Sequence, residues 1–284
     1  MITICYVAHP EIMGKDYLEF SHEMYTVIKS GRIFIEEDSL QRSPEWYAKE
    51  EDARAKIARG EVPFDRIEDN QLWSMLYKTK VKWIIEKSPI SKEDFDAEDL
   101  CRKRSWEAFY QNNLPEALDQ RIKSYQMGAK HDKRRDVKLA EYVATIAKSS
   151  EDSISITRGL SHTLLYHNLC KTLGFSKVRR LFVRPTAFCS MEDEIVRRLI
   201  FSKDVSEGLV LRSFADGLVN GYYRDVETFT VQESISKSRQ VVERLSERQI
   251  KDLSLFLSKK YFPNRGKLEP LEVLLMAAAN LELI

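Results

Sequence analysis

Four cysteines, ten glycines and eight prolines are few for 284 residues, and each scarcity removes a class of protein. Cys5, Cys101, Cys170 and Cys189 are scattered and form no Cys-x-x-Cys pair. Neither a disulfide framework nor a zinc knuckle is expected, and the thiols read as free in a reducing, cytoplasmic setting. So little glycine and proline excludes collagen-like and linker-rich chains. No apolar run reaches the ~18 residues of a membrane-spanning helix. The opening MITICYVAHPEIMGKDY has no basic stretch and no small-residue cleavage site, so no secretory signal is expected. An excess of one charge is also missing. The 45 Lys+Arg against 44 Asp+Glu leave a net charge of +1, unlike the strong basic excess usual in a nucleic-acid binder or the charged face of a membrane-surface binder. No HExxH, GxSxG, Walker A or GxGxxG motif is present.

What is there is enough apolar sequence for a sizeable core, with 43% hydrophobic and 10% aromatic residues. Short β-prone runs alternate with helical patterns. Residues 2–7, 33–35, 81–85, 154–157 and 178–183 read as strands. Between them lie helical stretches at about 15–29, 44–78 (interrupted by Pro63), 93–148 (broken at 112–115) and 161–173, the last closed by Gly174. The expected fold is therefore α/β, with a mainly parallel central sheet covered by helices on both faces. From about residue 232 only amphipathic helices follow. The expected organisation is a core over 1–231 and a helical C-terminal extension over 232–284, packed on the core or on a partner, with a homodimer as one form of the latter.

In open parallel sheets, ligands bind beyond the C-terminal ends of the strands. Here those ends carry His9, Glu36 to Asp38, Glu86, Arg158 with His162, and Arg184. Glu36 and Glu86 each end an apolar run, where an unpaired carboxylate would be costly. In Gly159-Leu160-Ser161-His162, the glycine allows a sharp turn and Ser161 is a natural N-cap. A helix N-terminus favours neutral imidazole in the first turn, which suits a base or a metal ligand. The plainer alternative is a histidine bonded to a carboxylate for structural reasons. Pro10 biases His9 to an extended backbone. Arg134-Arg135-Asp136 precedes an amphipathic stretch whose core face is Leu139, Val143, Ile146 and Ala147. Arg135 could pair with a strand-end carboxylate or hold a substrate anion, although a solvated charge run is the simpler reading.

A strand ending in His9, the acidic strand end RIFIEED, the helix RRDVKLAEYV and then ISITRGLSH together resemble the TraB/TIKI superfamily, with its relatives ChaN and erythromycin esterase. The match rests on Arg135, Asp136, Ala140 and Glu141, on Gly159 and His162, and on Glu36 and Asp38. It departs at the first turn, where Tyr6 stands in place of a glycine. The resemblance spans roughly residues 2–184. It implies a mixed α/β core whose histidine and acidic motifs converge on one site, and a hydrolase of peptide or ester bonds. Relatives include metal-dependent proteases, esterases without an obvious metal, and haem-iron binders. His9, Glu36 and His162 would then hold a divalent metal (Mn, Co or Zn) or activate water directly. Glu86 would serve as acid/base or support the ligands from behind, Arg135 would orient a carboxylate or bind substrate, and Arg158 and Arg184 would bind a small-molecule or peptide substrate. The rival reading is a ligand-binding or regulatory module on the same fold, without turnover. Loss of the His162 imidazole is expected to remove chemistry at little cost in stability.

Overall fold

The computed structural model describes residues 1–7, 25–26, 28–29, 31–36, 38, 41–66, 71–159, 162–182, 190–227, 229, 231–261 and 270–283. Most of the helix expected over 15–29, with His9, Ser161 and Arg184, lies outside them. The chain divides into two compact units, one of residues 1–92 and 131–185, the other of residues 93–130 and 186–284. The boundary expected at 231/232 thus gives way to a different division, in which the C-terminal helices belong with residues 93–130.

The first unit holds a five-stranded sheet built from β1 (Ile2–Val7), β2 (Ile33–Glu36), β3 (Lys82–Ile85), β4 (Ile154–Gly159) and β5 (Val178–Phe182). Its order is β3-β2-β4-β1-β5, and every pairing is parallel. Parallel strands need crossovers. These come from α1 (Pro44–Ala58) and α2 (Gln71–Thr79), from the long helix α4 (Leu114–Ser149), and from α5 (Thr163–Leu173).

Because side chains alternate along a strand, the sheet has two separately packed faces. One carries Ile2, Ile4, Ile33, Ile35, Ile84, Ile154 and Ile156 against Leu139, Ala140 and Val143 of α4 and Leu165 and Leu169 of α5. The other carries Cys5, Phe34, Trp83 and Ile85 against Tyr47 and Ile57 of α1 and Met75 and Leu76 of α2. Both faces are covered, which is why residues 33–35 read as a short continuous apolar run, while β1 and β4 alternate Ile with Thr or Ser. Gly31 brings β2 close to β4, because an added Cβ would overlap Ser155 Oγ.

The second unit is helical among its described residues. It contains α3 (Lys92–Tyr110, beginning at the boundary), the N-terminal part of α4, α6 (Met191–Ile200), α7 (Glu207–Gly221), a π-helical turn (Tyr222–Val226), α8 (Val231–Val242), α9 (Glu247–Lys260) and α10 (Pro270–Asn280). Phe109 and Phe214 stack at its centre, with ring centroids 4.5 Å apart. Ile250, Leu253, Leu257, Val273 and Ala277 complete the same core, while Leu255, Leu271 and Leu275 on the same two helices are exposed. No helix among the described residues is long and apolar enough to cross a membrane.

Candidate functional site

Arg158 follows Ile154 and Ile156 on the same face of β4 and is fully buried. A guanidinium there needs a charged partner. Glu86 supplies it. Its N–H donates to Glu36 O at 2.9 Å, which continues the β3 ladder by one residue and gives Glu86 the same facing as Ile84. In the strand order β3 and β4 are separated by β2, a gap of roughly 10 Å at the usual strand spacing. The length of an arginine spans it. Arg158 Nη1 donates to Glu86 Oε2 at 2.5 Å and Nη2 to Oε1 at 2.7 Å, a two-pronged contact that lysine could not make.

The next layer comes from α4. Asp132, Arg135 and Asp136 extend the stripe of Leu139, Ala140 and Val143 backwards in steps of three and four. One side of the helix therefore packs its apolar part on the sheet and presents its polar part at the strand ends. Arg135 Nη2 donates to Glu86 Oε2 at 3.1 Å and to Asp38 O at 3.0 Å.

His162 occupies the N-cap position of α5 and makes no side-chain cap bond of its own. Asp136 takes over that task from the neighbouring helix. Its Oδ2 accepts from Leu165 N at 3.0 Å, while its Oδ1 lies 2.8 Å from His162 Nδ1. Asp136 is fully buried and His162 nearly so. Tyr6 O–H donates to the His162 carbonyl at 3.1 Å. Burial, together with the nearby Asp136 charge, holds the Tyr6 phenol far above its ordinary range. Tyr6 is therefore a donor, not an anion. Gly159 is the last strand residue, in register with Val7, and its carbonyl accepts from His162 N at 3.2 Å.

Of the residues singled out in the sequence, Glu86, Arg135, Arg158 and His162 come together in one buried network. Glu36 goes elsewhere. It shares the face of Phe34, opposite to Glu86, and Arg54 Nε donates to its Oε2 at 3.1 Å. Burial raises the Glu36 carboxyl despite the opposing charge of Arg54. His9 and Arg184 lie outside the described residues. Asp132 and Asp136 were not among the residues singled out for the site. Their signal was the helical stripe, followed one turn further back than its apolar part.

The chain matches no family model, no curated protein and no solved structure.

The described residues do not fit a metal. Glu36 and His162 are engaged with different partners on different faces, and the Arg135 guanidinium stands 3.3 Å from His162 Nε2, where it would oppose a cation. What the arrangement can do is move a proton. With Nδ1–H donating to Asp136, Nε2 carries the lone pair and accepts from Arg135 Nη1 at 3.3 Å. Asp132 Oδ1 is also 3.3 Å from Nε2 and accepts from it once the ring is protonated. The imidazole thus has a partner for each of its two protonation states.

Proposed function

We propose that this chain is a hydrolase of ester or peptide bonds, of the TraB/TIKI and erythromycin-esterase-like type, in which His162 is the general base on water. The observation that carries the reading is the Asp136–His162 pair at the C-terminal end of a parallel sheet, with Nε2 between a guanidinium and a carboxylate. The order of motifs along the chain supports it. Asp136 keeps the proton on Nδ1 and fixes the ring. As Arg135 Nη1 turns from Nε2 to the substrate carbonyl oxygen, the freed Nε2 lone pair takes a proton from water while the water oxygen attacks the carbonyl carbon. Arg135 stabilises the negative charge that develops on the carbonyl oxygen. The imidazolium then returns its proton to the leaving oxygen or nitrogen, with Asp132 as its counter-charge. Glu86 and Arg158 hold Arg135 in position.

The test is hydrolysis of p-nitrophenyl acetate and of a labelled casein digest by the wild type, His162→Ala and Asp136→Asn. Turnover that rises as an imidazole titrates, survives EDTA and is lost in both variants supports the reading. Full activity in His162→Ala sinks it, and loss of wild-type activity on chelation would move the water-activating role to a metal. One observation favours a module that binds without turnover: Glu86 and Arg158 are both buried and already paired to each other. Under that reading neither substrate is cleaved by any of the three proteins.

A further inference from the structure

The helical unit contains a cavity of about 340 Å³ that the reading above does not use. This volume falls at the lower end of the ~300–1,000 Å³ typical of small-molecule sites. Trp106 and Tyr110, one turn apart on α3, form an aromatic wall, with ring centroids 5.7 Å and planes 25° apart. Tyr261, which follows α9, meets Tyr110 edge-on with centroids 4.9 Å apart. A further wall is bare helix backbone. An added Cβ at Gly217 would come within 2.9 Å of Trp106, and one at Gly221 within 3.0 Å of Leu274. These two glycines, four apart on α7, let the neighbouring side chains approach the helix axis closely.

Three donors belong to this lining. Among the described residues, the indole N–H of Trp106 and the hydroxyls of Tyr110 and Tyr261 have no hydrogen-bond partner. All three residues are half-buried, so these donors are open to a ligand or to water. Burial, then the neighbouring Tyr261, push the Tyr110 phenol far above its ordinary value, so it stays a donor. Charge is not what the cavity offers. Arg224 and Asp225, which also line it, neutralise each other through contacts of 2.6 and 2.9 Å. Both lie on the π-helical turn, a distortion that occurs frequently at functional sites.

We propose that this cavity binds an uncharged planar aromatic molecule of about two fused rings that carries a hydrogen-bond acceptor. The ring lies against Trp106 and Tyr110, and the acceptor receives a hydrogen bond from the Tyr110 hydroxyl. Coumarin, which is planar and neutral and carries a carbonyl, is the probe. It is titrated into the full chain by calorimetry and by saturation-transfer NMR. Saturable one-to-one binding is expected, abolished by Leu274→Trp, which fills the space. Tyr110→Phe should weaken it about three- to ten-fold, the worth of one hydrogen bond. Thermal melts of both variants establish that they are folded, and Tyr110→Phe carries the test alone if Leu274→Trp is not. No binding by the wild type overturns the proposal, as does binding that Leu274→Trp leaves intact. Binding that Tyr110→Phe leaves unchanged overturns the assigned donor.

Discussion

Removing the Arg158 guanidinium leaves Glu86 buried without its two-pronged partner. Arg158→Met is expected to cost about 3–5 kcal/mol, the usual effect of breaking a buried ion pair from one side. The double variant Arg158→Met/Glu86→Gln should recover part of that loss, because it also removes the stranded charge. Urea unfolding of both proteins measures the difference, and a double variant less stable than the single one would count against the pairing. His162 bears on a different residue. The expectation of little stability cost on losing its imidazole needs correction, because Asp136 is fully buried and His162 Nδ1 is a partner of its Oδ1. His162→Ala should cost about 1–3 kcal/mol. His162→Asn, whose amide can still donate to Asp136, should regain much of this while staying inactive. Melting temperatures and turnover, measured side by side, separate the packing role from the chemical one.

At the scale of elements, α5 ends at Gly174, where φ is 91° and ψ 147°. An added Cβ there meets nothing within 4 Å, so the barrier to another residue is conformational alone. Gly174→Ala should destabilise by about 1–3 kcal/mol without changing the core, as a shift in urea midpoint with an unchanged slope would show. The glycine stop was legible in the sequence, and so were the strands, because a parallel sheet covered on both faces leaves short apolar runs between helical stretches. The same coverage hid the facing of each residue. Ile33 to Ile35 shows no alternation, so nothing local says that Glu36 faces Arg54 while Glu86 faces Arg158. That difference depends on where each strand starts relative to its neighbour. Arg135 and His162 were legible as candidates. The part of Asp136 was not, because it lies in a bond between two helices far apart in sequence.

For the whole molecule, the two units respond to pH through named groups, and the helical unit supplies opposing examples. Burial pushes the Glu194 carboxyl up, but hydrogen bonds and charge from Arg239 and Arg198 outweigh it, and the net is a value below the ordinary 4.5. A lowered carboxyl contributes stability that is present above its unfolded value and is lost as pH falls through the folded one. Acid titration below about pH 4.5 should therefore destabilise the wild type more steeply than Glu194→Gln. Asp216 runs the other way. Burial raises it above the ordinary 3.8, despite hydrogen bonds from Ser238 and the Met191 N–H. Its share of stability is full below that value and declines as pH rises through the folded one, so Asp216→Asn should flatten that decline in melts across the acid range. The order of the strands has a consequence for synthesis. β1 leaves the ribosome before the other four described strands, yet its sheet neighbours are β4 and β5, with Ile2 beside Ile154 and Val178. β2 likewise waits for β4 on one side and has only β3 to pair with before then. A nascent chain that has reached Ser149 therefore carries β1 with no strand to pair with, and lacks the strand that joins the sheet's two halves. Arg158, which ties the site together, emerges at the end of that same joining strand, so union of the sheet's two halves and pairing of Arg158 with Glu86 fall in one step of translation.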